Sequence, residues 1–271
     1  MGYLRRATCR RVWLMAGRVI FAALSLVAVL ALAGCGSGSP APAATRITVA
    51  ATPTHAKAPW AFAVSGDDPV VPNGSQDTYG ATPGAVCDSA EFAKDMAVGQ
   101  QVASGFRLAG FPVAADLLGH FLQGDGTEVD YRAGSSISQQ ALASSVFRAL
   151  NQRVQGLIGG QLKAGRTQVR LSAAQLPTVA FESTNSDLYW GFRGTQGLAV
   201  TGSGVRKDGR YVGTLTYVIR DSYGFPADDT LDGFGPPMRY LQTVCGAPQH
   251  AGGARWFPDA ITVTVPLSQP T

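Results

Sequence analysis

A long alternating segment, Tyr217-Val-Ile-Arg-Asp-Ser-Tyr-Gly-Phe225, runs into a polar turn and then into Asp228, Asp229 and Asp232. Alternation with a period of two puts Asp221 and Tyr223 on one face at the end of a strand, where a carboxylate and a phenol could meet one ligand. Asp228 or Asp229 could supply a second carboxylate, and Arg220 and Arg239 are the nearby cations able to balance charge on a phosphoryl group. The competing reading is structural: Asp221 and Ser222 cap a turn, Tyr223 and Phe225 pack against the sheet, and the acids coat a solvated loop. Other chemistry is thin. The histidines are His55, His120 and His250, with no Gly-x-Ser-x-Gly elbow and no Gly-x4-Gly-Lys-Ser/Thr phosphate loop. His120 shares a helical pattern with Leu117, Leu118, Phe121 and Leu122, so it reads as a histidine at the core margin, salt-linked to Asp116 one turn earlier.

The first 34 residues combine a basic segment (Arg5, Arg6, Arg10, Arg11, Arg18), an apolar run from Val19 to Leu32 and a small-residue cleavage site, the three parts of an export signal. The run is shorter than the roughly 20 residues a spanning helix needs. It closes on Leu32-Ala-Gly-Cys35, which resembles the bacterial lipobox. That resemblance implies a lipid on Cys35, first residue of the mature protein, and anchorage of the exported chain to the cell membrane. The formal charge of +4 belongs to the signal: without its five arginines, 17 basic residues face 18 acidic ones, a net charge of −1. Nothing then favours nucleic acid as a partner. Cys87 and Cys245 are left in an oxidising setting with no CxxC and no histidine at ligand spacing, so they read as one disulfide rather than a zinc site. By loop entropy such a bridge would contribute roughly 5 kcal/mol.

The elements that must position these residues follow from periodicity. Residues 35–58 are Pro-, Ala-, Gly- and Ser-rich and read as a flexible tether; residues 59–86 read as an extended arm carrying Trp60 and Phe62. From Cys87 to Thr271 about 185 residues remain, enough for a single domain with a real core. Helices are expected from Asp88-Ser89, from Val113 to Leu122 with Gly124 as its stop, and from Ser135 or Ser138 to the Gly159-Gly160 pair. A short strand, Thr127 to Tyr131, separates the last two. Beyond Gly165 the pattern alternates, predicting strands at Val169–Leu171, Thr178–Phe181, Leu188–Arg193, Leu198–Thr201 and Tyr211–Ile219, with a hairpin at Lys207-Asp208-Gly209. A short helix near Met238 to Val244 and an edge-side strand, Ile261–Val265, complete the pattern. The expected class is α+β, with N-terminal helices packed on one face of a curled, mostly antiparallel sheet.

Three short motifs carry a family resemblance spanning about residues 110–265. His120-Phe-Leu-Gln-Gly-Asp-Gly126, Tyr189-Trp-Gly-Phe-Arg-Gly194 and the Asp221-Ser-Tyr223-Gly-Phe225 strand end resemble C-terminal domains of secreted actinobacterial proteins and polymorphic toxins. A related strand end in colicin M-type bacteriocins, Asp-x-Tyr-Asp followed by His-Arg, cleaves a lipid-linked peptidoglycan precursor. That likeness implies a phosphoesterase with a divalent cation and with Asp221 and Tyr223 at its rim. This chain departs at Gly224, where the second Asp belongs, and has no His-Arg pair at that spacing. The sequence therefore favours a non-catalytic, membrane-anchored domain that binds an envelope protein, glycan or lipid and needs no cofactor. The alternatives are the phosphoesterase, active or degenerate, and a lipid- or solute-carrying lipoprotein with an enclosed apolar cavity.

Overall fold

The computed structural model describes residues 60–68, 82, 84–176, 179–181, 186–193, 195–225, 233–246 and 252–271. The signal, the tether with Cys35, and the candidates Asp228 and Asp229 lie outside the described residues.

The chain order is β1 (Ala61–Asp68), α1 (Ser89–Leu108), α2 (Pro112–Gln123), β2 (Val129–Tyr131), α3 (Ser136–Ala143), α4 (Ser145–Lys163), β3 (Gln168–Leu171), α5 (Asp187–Phe192), β4 (Gly197–Lys207), β5 (Arg210–Tyr223), α6 (Gly235–Thr243) and β6 (Phe257–Pro270). The class is α+β. The strands form one mixed sheet in the order β2-β6-β5-β4-β1-β3, open at β2 and β3 rather than curled. Its inner pairings β1–β4, β4–β5 and β5–β6 are antiparallel, while β1–β3 and β2–β6, at the two edges, are parallel. Helices and strands do not separate along the chain as expected. The segment read as an arm supplies β1, which lies inside the sheet, and α5 and α6 interrupt the strands.

Local chemistry explains most boundaries. Asp88 accepts the N–H groups of Ala90 and Glu91 at 3.0 and 2.9 Å and starts α1. Gly124 ends α2 in the left-handed region at φ 73°, and a side chain there would collide with the Gly253 carbonyl. The expected long helix is two helices: Ser144 turns extended (ψ 147°) after α3, and its Oγ then accepts the Phe147 N–H at 3.0 Å to cap α4. The Gly159-Gly160 pair does not stop α4, which ends before Gly165 at φ 80°. Leu188–Arg193 was expected as a strand and is largely the helix α5. Ser186 accepts the Tyr189 N–H at 3.3 Å and Asp187 sits in the first turn, two helix-start signals that outweigh the strand preference of Tyr, Trp and Phe. Residues 179–181, expected in a strand, form no regular element, although Val179 and Phe181 are buried.

On β5 and β6 burial follows the period of two. Tyr211, Leu215, Tyr217, Ile219, Asp221 and Tyr223 face the core with Phe257, Asp259, Ile261, Val263, Val265 and Leu267. Helices meet this side: Phe147 of α4 packs edge-on to Tyr217 at 5.1 Å, and the Tyr211 hydroxyl donates to the Leu162 carbonyl at 2.9 Å. Among the described residues no helix is long and apolar enough to cross a membrane.

Candidate functional site

The end of β5 brings Asp221 and Tyr223 onto one face as expected, and that face is the one turned toward the core. Asp221 is 6 % exposed and Tyr223 is 7 % exposed. An Asp221 carboxylate oxygen accepts the Ser222 N–H at 2.8 Å, and the Tyr223 ring stacks on Phe257, with centroids 5.4 Å apart and planes at 22°. Phe225 closes the strand end by donating its N–H to Gln242 of α6 at 2.9 Å. Arg239 is carried on that same helix.

The residue that sequence reasoning missed is Asp259. The β5–β6 register sets Asp221 directly opposite Asp259 and Tyr223 directly opposite Phe257. Asp259 is 1 % exposed, and among the described residues neither of its carboxyl oxygens has a hydrogen-bond partner. Burial, then the Asp221 charge, and then Glu128 push its carboxyl well above the usual carboxylate range, against a smaller opposing influence of its own backbone N–H. A signal was present in Phe257-Pro-Asp259-Ala-Ile261-Thr-Val263: the acid occupies the apolar phase of an alternating strand. Next to β6, burial raises the Tyr131 phenol, with further contributions from Asp259, Asp116 and Asp187.

His120 touches the same strand end through Phe257. Its ring meets Phe257 edge-on at 4.4 Å, and Nε2 lies 2.9 Å from the Thr127 carbonyl and 3.2 Å from Asp125. The expected partner, Asp116, instead takes Arg107 at 2.7 Å. The reason is loop geometry: Asp125 accepts the N–H and the hydroxyl of Thr127, which hold its carboxyl below the usual range and fix it beside the imidazole.

Cys87 and Cys245 form the expected disulfide, with Cα atoms 5.0 Å apart. Among the described residues no group of three or more His, Cys, Asp or Glu is placed to hold a metal ion. An open depression of about 460 Å³ is lined by Glu128, Asp130, Arg132, Val218, Arg220 and Thr262, among others. Val218, Arg220 and Thr262 alternate with the core-facing residues of their strands, so it opens on the sheet's other face. This arrangement offers two chemistries: a charged, hydroxyl-bearing outer surface able to bind, and a buried carboxyl pair able to hold a proton. No protein-family model, no curated protein and no solved structure matches this chain, so its function is read from its own residues.

Proposed function

We propose that this protein is an exported lipoprotein, anchored to the bacterial cell membrane by a lipid on Cys35, whose domain binds an envelope protein, glycan or lipid without turning it over. Residues 1–34 are the signal and residues 35–58 the tether in this reading. The Cys87–Cys245 bond supports export, because disulfides persist in oxidising compartments. The observation that carries the binding role is the direction of the β5 strand end: Asp221 and Tyr223 are folded beneath the helices, while among the described residues the opposite face of the sheet presents exposed side chains. There Ser65, Thr201, Thr216 and Thr264 stand in one cross-strand row over β1, β4, β5 and β6. Among the described residues the helices pack on one face, and the hydroxyl row on the other is the surface this reading gives to a partner.

The metal-dependent phosphoesterase is the second reading, favoured by one observation, a second carboxylate opposite Asp221. It requires a cation within reach of substrate, and Asp259 at 1 % exposure gives no such access.

One pair of measurements tests the proposal. Cells fed an alkyne-tagged fatty acid should label the wild-type chain and retain it with membranes, whereas Cys35→Ala should be unlabelled and released; a labelled Cys35→Ala chain removes the lipoprotein reading. Purified protein given a lipid-linked peptidoglycan precursor with Mg²⁺ or Ca²⁺ should produce no turnover above buffer. Turnover that Asp221→Asn abolishes would replace the binding reading with the phosphoesterase.

A further inference from the structure

Two acids directly opposite each other in an antiparallel pair repel when both are charged, and that cost is greatest where water is excluded. Asp221 and Asp259 are so placed, both inside the core, and Asp259 has no hydrogen-bond partner among the described residues. A single proton answers both problems. Bound to one carboxyl and donated to the other, it makes a charge-assisted O–H···O bond, reduces the pair to one negative charge, and satisfies an oxygen that is otherwise bare. A divalent cation suits the site less, since two carboxylates fall short of the six or more oxygens such ions take.

We propose that Asp221 and Asp259 share one proton, and that this proton clasps the ends of β5 and β6, tightening the strand end in acid and loosening it in base. Loss of the proton to solvent leaves two facing negative charges beside the Tyr223–Phe257 stack. Of the titratable groups near this strand end, Glu128 just before β2 acts on Asp259, Tyr131 on β2 feels Asp259 together with Asp116 on α2 and Asp187 on α5, His120 on α2 meets Phe257, and Arg239 is carried on α6. Those that act on Asp259 by charge, Asp221 and Glu128, are both acids and favour retention of the proton. The clasp belongs to the fold and does not depend on the lipid or on a partner.

The sign is set by Asp259. Its folded carboxyl binds the proton more tightly than the unfolded one, so its contribution is complete below the ordinary carboxylate range and is lost as pH rises through the raised value. Buried Asp95 on α1 is shifted the same way, by burial and then by Glu91, and adds a smaller slope. The urea midpoint of the full-length chain in detergent should fall by about 0.5 M or more between about pH 5 and pH 8.5. Asp259→Asn should remove most of that fall and surpass wild type at the upper pH. Asp221→Asn should remove a smaller part of it, because burial, the larger cause, still acts on Asp259, and the double variant should add little to Asp259→Asn. A wild-type midpoint that is flat or rises with pH overturns the clasp, as does an Asp259→Asn chain that keeps the wild-type slope. Ca²⁺ or Mg²⁺ raising the wild-type midpoint but not that of Asp259→Asn also overturns it, in favour of a cation site. Should Asp259→Asn fail to fold, the infrared spectrum of Asp95→Asn decides: a protonated-carboxyl band at neutral pH that fades in base supports the clasp, and its absence overturns it.

Discussion

Asp187, Asp221 and Asp259 are all buried, yet their oxygens meet different surroundings. Asp187 has a partner for each: Oδ1 accepts the Ala114 N–H at 2.8 Å and Oδ2 accepts the Gln140 amide at 3.1 Å. The first bond caps α2 from another element, because α2 opens on Phe111-Pro112 and has no side-chain cap of its own. Removing the carboxylate leaves a buried N–H and a half-buried amide without this partner. Asp187→Ala should therefore cost about 2–3 kcal/mol in urea unfolding, while Asp187→Asn, which keeps an acceptor, should cost less than half as much. Equal losses in the two variants would mean that charge, not capping, is what α2 needs. Asp221 accepts its neighbour's N–H, whereas among the described residues neither Asp259 oxygen has a hydrogen-bond partner and the residue opposite is an acid. That contrast is why the proton is assigned to the β5–β6 pair and not to Asp187.

The β4–β5 hairpin shows how an element sets the sheet. Asp208 and Gly209 take φ values of 49° and 71°, the positive values that a two-residue turn with the strands' own twist requires. Beyond the turn, Gly204 lies opposite Gly213 on β5 and opposite Phe62 on β1. A side chain at Gly204 would collide with the Val212 carbonyl and the Phe62 ring. Gly204→Ala should cost about 1–3 kcal/mol and should change the fluorescence of Trp60, which packs on Phe62 and Tyr211; an unchanged midpoint would show that β1 gives way freely. Elements with strict alternation and a turn signal, such as this hairpin and β6, were legible in the sequence. So were the starts of α1 and α2 and the disulfide. Residues 188–193 were not, because a short aromatic run fits strand or helix until Ser186 and Asp187 are weighed as a cap. Nor was the break at Ser144, where the apolar spacing carries on smoothly across two helices. At the site, Asp221 and Tyr223 were found and placed on one face, but the face was read without its neighbour. Cross-strand register alone delivers Asp259, and a single strand does not encode which strand lies beside it.

At the scale of the whole molecule, the disulfide spans most of the domain by joining residues 158 apart, one just ahead of α1 and the other just past α6. The two helices already touch: Gly99 on α1 sits close under Leu122 and Met238, and the Tyr240 hydroxyl accepts the Asp88 N–H at 3.0 Å. The bond therefore adds little contact in the folded state, and its main effect is to restrict the unfolded chain. Loop entropy sets that effect at about 5 kcal/mol, a large share of the roughly 5–15 kcal/mol that holds most domains together. Cys87→Ser with Cys245→Ser should lower the urea midpoint by about 2 M at every pH, because serine does not titrate in the range in which Asp259 acts, and reduction should do the same below the ordinary thiol value of about 8.5. Either single serine should cost as much as the pair, since one lost sulfur opens the whole loop. If the serine pair instead steepened the pH dependence of stability, the α1–α6 junction and the β5–β6 end would form one cooperative unit. The proton and the disulfide would then have to be treated as coupled stabilisers of the same end of the fold.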